Sequence, residues 1–221
     1  MLKRFIQLIY LMLSVLLCCS ALSCGHQSTS LMLSVKDDQY DFDSLRASLE
    51  SRLNRLYIDD SQIDISEASG SAVEISIKGR TLTQDEINIL VYSDTLCIKN
   101  SDGDIVMTSE DFKDCSIDFD TENSGGKSEN GCYVKLVFTE NGSEKFKDLT
   151  REISSEKDEE KKILSVWCGK DLVLNPMVTS TIITSEIMVT GDFSITECRL
   201  KAAEIFSAIN PLPFLVEVKN E

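Results

Sequence analysis

The sequence predicts an α+β fold made of two successive subdomains. Two observations predict this class. Apolar residues recur at every second position in several short segments, which indicates strands, and at three- and four-residue steps in others, which indicates helices. Segments of both kinds are interleaved along the chain, an order typical of sheets covered by helices. With 221 residues, the chain is long enough for one sizeable core or two small ones.

The first subdomain is predicted over residues 39–104, in the order helix, strand, strand, helix, strand. Residues 41–57 carry one apolar stripe of a helix. Its solvated side is expected to hold the polar residues Arg46, Glu50, Arg52 and Arg55. Two strands with alternating apolar residues follow, near residues 63–65 and 73–77, joined by a Ser-Gly turn. These elements form one sheet layer and one helix layer, an α/β sandwich.

A capping box formed by Thr83 and Glu86 predicts the start of the second helix. A strand over residues 96–99 and an Asp102-Gly103 turn into residues 105–107 then predict a hairpin.

The second subdomain is predicted over residues 105–221, as a mixed sheet with packed helices. Its predicted elements are strands at 115–119 and 134–138, a helix after an Asn141-Gly142 turn, a hairpin at 163–174, a strand at 181–189, a helix begun by the capping box of Ser194 and Glu197 and ended at Pro211, and a last strand at 214–218. That last strand is placed either here or back in the first subdomain.

The first 24 residues have the pattern of a secretory signal: a cationic start, an apolar run over residues 5–19 and a small-residue boundary. A cysteine directly after Ser23 adds the pattern of a lipoprotein. We therefore expect a signal peptide over residues 1–23 and a palmitate-bearing lipid anchor on Cys24, followed by a polar tether over residues 24–38. This places the protein on the extracytoplasmic face of the cell membrane.

Two alternatives to lipidation at Cys24 are open. Cys18 and Cys19 are less suitable lipid acceptors, because bulky side chains precede them where a small one is needed. Residues 5–23 are also nearly long enough to act as an uncleaved single-pass anchor.

The strongly acidic composition excludes some partners. The formal net charge is −15, and removal of the signal peptide, with two basic and no acidic residues, lowers it to −17. A protein with this charge repels phosphate backbones and anionic lipid headgroups, so we expect no nucleic-acid binding.

Five cysteines follow Cys24, and they are interpreted as small core residues with an open redox state: Cys97, Cys115, Cys132, Cys168 and Cys198. The odd number and the lack of a Cys-x-x-Cys motif argue against a complete disulfide framework. Cys115 and Cys132 are predicted at opposite ends of paired strands, about 17 Å apart, which is too far for a bridge.

The sequence lacks the usual residues of enzyme and metal sites. His26 is the only histidine, which leaves no base for a Ser-His-Asp or Cys-His site. Residues 100–104 resemble the start of a calcium loop, but Ile105 stands where a glycine is needed, so we interpret them as a hairpin turn. We expect no catalytic activity, no cofactor and no metal.

Four segments together resemble the SecD/SecDF family, in the same order along the chain. They are residues 49–63 (LESRLNRLYIDDSQI), 134–150 (VKLVFTENGSEKFKDLT), 166–178 (VWCGKDLVLNPMV) and 189–214 (VTGDFSITECRLKAAEIFSAINPLPF). The similarity is to the first large extracytoplasmic domain of that family, with its base and head parts. Cys168 stands where the family favours Asp, and Asn210-Pro211 replaces Gly-Ala or Gly.

The resemblance implies a ferredoxin-like base over residues 39–104, a head over residues 105–221, and a role in polypeptide capture or docking on Sec-type export machinery. The family's six-helix membrane unit has no counterpart here, so a complete export motor is not expected. Strand addition at an exposed sheet edge is the expected binding mode, with candidate edges at residues 135–139 and 181–187. The alternatives are a surface lipoprotein that binds a small ligand or a cation, and an enzyme that uses carboxylates alone.

Overall fold

The structure, a computed structural model, describes residues 27–119, 131–190 and 193–219. Its helices are α1 (Phe42–Arg55), α2 (Gln84–Leu90), α3 (Glu140–Ser154) and α4 (Ile195–Ile209). Its strands are β1 (Ser28–Val35), β2 (Ile63–Ala68), β3 (Ala72–Lys78), β4 (Leu96–Lys99), β5 (Ile105–Thr108), β6 (Phe112–Phe119), β7 (Cys132–Phe138), β8 (Ser165–Cys168), β9 (Asp171–Leu174), β10 (Glu186–Val189) and β11 (Val216–Val218). The α+β class predicted from the sequence is confirmed.

The base is a four-stranded antiparallel sheet in the order β11-β1-β3-β2, with α1 and α2 supplying its helix layer. The order of elements along the chain is β1-α1-β2-β3-α2, with β11 as the fourth strand, which is the ferredoxin-like arrangement. The last strand therefore lies in the base sheet, where Val216 pairs with Val35.

The prediction of a polar tether over residues 24–38 is wrong for most of its length, because Ser28–Val35 forms strand β1. Thr29, Leu33 and Val35 are buried. Ser30 and Ser34 lower the apolar content of the segment, and Met32 interrupts the alternation of apolar and polar residues. β1 lies between β11 and β3, so the base sheet depends on it.

The predicted boundary between base and head at residue 104 is also wrong. β4 pairs with β8 of the head, and Leu96 and Ile98 lie in the head core. The head is thus inserted into the base, between α2 and β11.

The head contains two antiparallel sheets in place of the mixed sheet that was expected. Their strand orders are β10-β7-β6 and β5-β4-β8-β9. Apolar residues of both sheets, of α3 and of α4 form one core. α4 also reaches the base core through Ala203, so it contacts both halves of the molecule.

The predicted Asn141-Gly142 turn lies instead in the first turn of α3, whose N-cap is Thr139. A Cβ atom at Gly142 would lie 1.9 Å from the carbonyl oxygen of Asp111. Glycine is therefore required by the close approach of this helix to the turn before β6, and not by a loop.

Arg52 of α1, predicted on the solvated side, is buried, with 1% of its surface exposed. Its guanidinium donates five hydrogen bonds of 2.7–3.2 Å to backbone carbonyls. Three of these carbonyls lie at or just after the end of α2, and two lie at the end of α4: Ile89, Leu90 and Tyr92, and Ser207 and Asn210. Burial lowers the pKa of Arg52 to about 10, which still leaves it protonated at neutral pH.

A second arginine of α1 joins the base to the head. Arg55 forms an ion pair with Asp114 of β6, and its guanidinium lies 4.3 Å from the ring centre of Phe206 in α4. The last turn of α1 thus carries two cations, Arg52 and Arg55, each with more than one partner.

No helix among the residues that the structure describes is long and apolar enough to span a membrane. The apolar segment at residues 5–23 lies outside them.

We expect Arg52→Met to lower the free energy of unfolding by about 4 kcal/mol, because it leaves buried carbonyls without donors. Urea denaturation measures the change. Arg46→Met is the matched control, since Arg46 lies on the exposed face of the same helix and pairs only with Glu50. It should cost about 0.5 kcal/mol or less. Equal effects of the two substitutions would contradict the role of Arg52.

Candidate functional site

The predicted lipid-bearing residue, Cys24, lies outside the described residues, as does His26. Lipidation at Cys24 therefore stays a prediction.

The two candidate sheet edges differ in the structure. Residues 135–139 are not an edge, because β7 is the middle strand of its sheet and pairs with β6 on one side and β10 on the other. Residues 181–187 lead into β10, and no strand among the described residues pairs with the outer side of β10. The expectation of an edge is thus met only by the second segment.

The register of β10 defines which of its peptide groups face outward. The carbonyl of Ser185 accepts a hydrogen bond from the amide of Phe138 at 2.9 Å. In an antiparallel pair, alternate residues direct both backbone groups to the partner strand. Ile187 and Val189 therefore face β7, whereas Glu186 and Met188 direct their amide and carbonyl groups to the free side.

Thr184 covers one of these two outward positions. Its hydroxyl donates to the carbonyl of Glu186 at 2.7 Å and accepts from the amide of Glu186 at 3.2 Å. The peptide groups of Met188 have no such cover among the described residues. The open part of the edge is therefore short and is centred on Met188.

The opposite edge of the same sheet, β6, is blocked by its own carboxylates. Asp114 accepts from the amide of Cys115 and Asp118 accepts from the amide of Phe119, each at 2.8 Å. The amide of Phe119, followed by Lys135, lowers the pKa of Asp118, so that this carboxylate stays charged. An incoming strand would have to displace two aspartate side chains at β6, but only one hydroxyl at β10.

Apolar side chains flank the open edge. Ile183 is 80% exposed and Met188 is 46% exposed. Lys135 of β7 forms an ion pair with Asp118 at 3.3 Å on the outer face of the sheet. We call the surface formed by Ile183, Thr184, Glu186 and Met188 the β10 edge. It offers backbone pairing with apolar contacts on either side, which is the chemistry of strand addition.

A cleft of about 500 Å³ lies between α2, α4 and the start of β9. Its acidic lining residues are Asp85, Asp171, Glu197 and Glu204. Two of these carboxylates are already engaged, since Glu197 caps α4 through Ser194 and Glu204 pairs with Lys201 at 2.8 Å. Burial, reinforced by nearby acidic groups, raises the pKa of the lining residue Tyr92, so its hydroxyl stays neutral. The cleft provides no set of free ligands directed at one point.

The calcium-like segment at residues 100–104 forms the β4–β5 hairpin turn, as interpreted from the sequence. Asn100 accepts hydrogen bonds from the amides of Asp102 and Asp104, which uses its side-chain oxygen within the turn. Among the described residues, no group of three or more His, Cys, Asp or Glu side chains is arranged to hold a metal ion.

Comparison with protein-family profiles gives no match, and no curated protein matches the sequence. Solved structures do match the fold. A crystal structure of SecDF in a super-membrane-facing form overlaps with a TM-score of 0.60 at 17% identity, covering 88% of this chain and 30% of that one. A second structure, of SecDF described as a membrane component that enhances protein export, gives a TM-score of 0.55 at 17% identity over 87% of this chain and 99% of that one.

The chain therefore has a SecD-like fold, which confirms the fold implied by the sequence resemblance. It spans about a third of the first SecDF chain.

We expect Thr184→Val to raise the hydrogen-exchange rate of the Glu186 amide about fivefold to tenfold, because a bond worth about 1 kcal/mol is lost. Exchange resolved by residue, using NMR, measures it. Thr184→Ser keeps the hydroxyl and should leave the rate unchanged. A rate insensitive to both changes would show that the hydroxyl does not cover the edge.

Proposed function

We propose that this protein is a membrane-anchored, extracytoplasmic module related to protein export, which binds extended polypeptides at the β10 edge. The single observation that carries the proposal is the open backbone at Met188, five residues after the exposed side chain of Ile183. The SecD-like fold supports the link to export, since a structural neighbour is described as a component that enhances protein export.

The binding step follows from the geometry of the edge. An extended segment would pair with the amide and carbonyl of Met188 and place apolar side chains against Ile183 and Met188. Each net hydrogen bond contributes about 1 kcal/mol and each small apolar contact a similar amount. A total of about 4 kcal/mol corresponds to an affinity of about 1 mM. Such weak binding suits a module that must release its polypeptide.

Backbone pairing gives little preference for the sequence of the bound polypeptide, but the net charge of the protein adds a preference for its charge. A net charge of −15 attracts basic and repels acidic segments. Capture of basic segments should therefore weaken as salt is added.

The anchor completes the proposal. A lipid on Cys24 with two or three acyl chains would hold the protein at the membrane almost permanently. Since β1 begins at Ser28, only three residues, 25–27, lie between Cys24 and the base sheet, and the two are at most about 14 Å apart along an extended chain. The base would then lie against the membrane surface, in contrast to the long tether expected from the sequence.

We propose binding without catalysis, and rank the alternatives lower. A cation- or ligand-binding lipoprotein would use the acidic cleft, where two of the four carboxylates already have partners. An enzyme based on carboxylates alone would need two of them free and facing a substrate in the same cleft.

We expect Met188→Pro to reduce capture of exported polypeptides at least fivefold. Proline removes the outward amide of residue 188 but no bond to β7. Capture is measured by photo-crosslinking from residue 183 during secretion. Met188→Leu keeps the amide and is the control. Undiminished crosslinking in the proline variant, with an unchanged melting temperature, would exclude strand addition at this edge.

We expect Cys24→Ala to abolish incorporation of labelled palmitate and to release the protein from the membrane fraction. Cys19→Ala should change neither, because residue 19 is preceded by a bulky side chain. Palmitate retained in the Cys24 variant would rule out Cys24 as the acceptor. This result would leave the proposal for the β10 edge intact.

A further inference from the structure

Two cysteines that are far apart in the sequence meet inside the head. Cys132 begins β7 and Cys198 lies in the first turns of α4, 66 residues later. Both side chains are fully buried, and their sulfur atoms are 3.2 Å apart. Among the five cysteines of the described residues, this is the one pair with sulfur atoms within hydrogen-bond distance.

The position of these two thiols suits a covalent bond. Disulfide sulfur atoms lie about 2.05 Å apart, so an approach of about 1 Å is needed. Rotation of two cysteine side chains can supply a movement of this size. Cys115, on the neighbouring strand β6, is equally buried but pairs with Leu136, far from Cys132.

We propose that Cys132 and Cys198 form a disulfide bond in the mature protein. Each thiol loses its proton, and the two sulfur atoms join as two electrons pass to an external disulfide. That oxidant, a protein or low-molecular-weight disulfide, is reduced to two thiols. Extracytoplasmic compartments supply oxidants of this class. The disulfide depends only on the geometry of the head, so it can form whether or not the β10 edge binds polypeptides.

The order of events follows from burial. Burial, together with the neighbouring Cys132, raises the pKa of Cys198 to about 12, so this thiol holds little thiolate in the folded, reduced protein. Both residues are also closed to solvent, so an external oxidant reaches them before the head core closes. Once formed, it is shielded from reductants by the same core.

The bond would fix the start of α4 to the middle strand of the head sheet. The other end of α4 supplies the carbonyls of Ser207 and Asn210 to Arg52. The helix would thus be tied to the head by a covalent bond and to the base by hydrogen bonds. Relative motion of head and base would then have to take place at the Arg52 end.

The bond can be tested in the full-length protein in cells. Cells are quenched in acid, and the denatured protein is alkylated and digested with trypsin without reduction. We expect the peptides of residues 128–135 and 171–199 to be joined, and to separate on reduction. If both cysteines are instead alkylated in this sample, a second experiment asks whether the protein can form the bond under oxidising conditions outside the cell.

In this second experiment, the full-length protein is unfolded, reduced and refolded in detergent with oxidised and reduced glutathione. Formation of the same linked peptides here, with both cysteines alkylated in cells, would show that the pair can be bridged but would overturn the bond in the mature protein. Absence of the linked peptides in both experiments overturns the proposal.

The melting temperature provides a second readout. Closing a loop of 66 residues should raise it by about 10 °C relative to the reduced protein. Reductant added during refolding should remove this gain in the wild type and in Cys115→Ala. In the double variant Cys132→Ala, Cys198→Ala, it should have no effect. Equal sensitivity to reductant in the double variant would contradict the assignment of the pair.

Discussion

The structure depends on one buried cation, the guanidinium of Arg52. The head is inserted between α2 and β11, so the chain leaves the base at the end of α2 and returns to it at the end of α4. Arg52 binds the carbonyls at both of these points. The ends of helices carry unpaired carbonyls and partial negative charge, and one planar donor group satisfies both ends at once. Arg52 thereby links the two points at which the head is connected to the base.

The edges of the head sheet show how the fold limits unwanted pairing. Exposed edges invite association with other chains, and proteins block them with charges and side-chain hydrogen bonds. Here β6 carries two aspartates that accept from its own amides, whereas β10 is covered only at Glu186. The difference leaves the peptide groups of Met188 uncovered among the described residues, a stretch that suits weak binding of an extended segment and is too short for a stable sheet between molecules.

Two segments differ from their predicted roles although part of the pattern was present in the sequence. Arg52 is spaced three residues from Leu49 and seven from Leu45, so its position is on the apolar stripe of α1. The prediction placed Arg52 on the solvated side because its side chain is charged. Backbone carbonyls from distant elements make its burial possible. In β1, three serines lower the apolar content, and the nearness of the signal segment favoured the prediction of a tether. Neither error could be corrected locally, since the partners of both segments lie far along the chain.

The sequence by itself determined the class of fold, the caps of α2 and α4, the hairpins and the strand pair β6–β7, because these depend on local periodicity, turn residues and short-range hydrogen bonds. It also carried the resemblance that the SecD-like fold confirms. Only the tertiary structure decided which edge stays open, where Arg52 finds its acceptors and that Cys132 meets Cys198. Each of these features results from contacts between elements that are tens of residues or more apart in the sequence. Such contacts depend on the packing of the whole chain, and no local sequence pattern contains them.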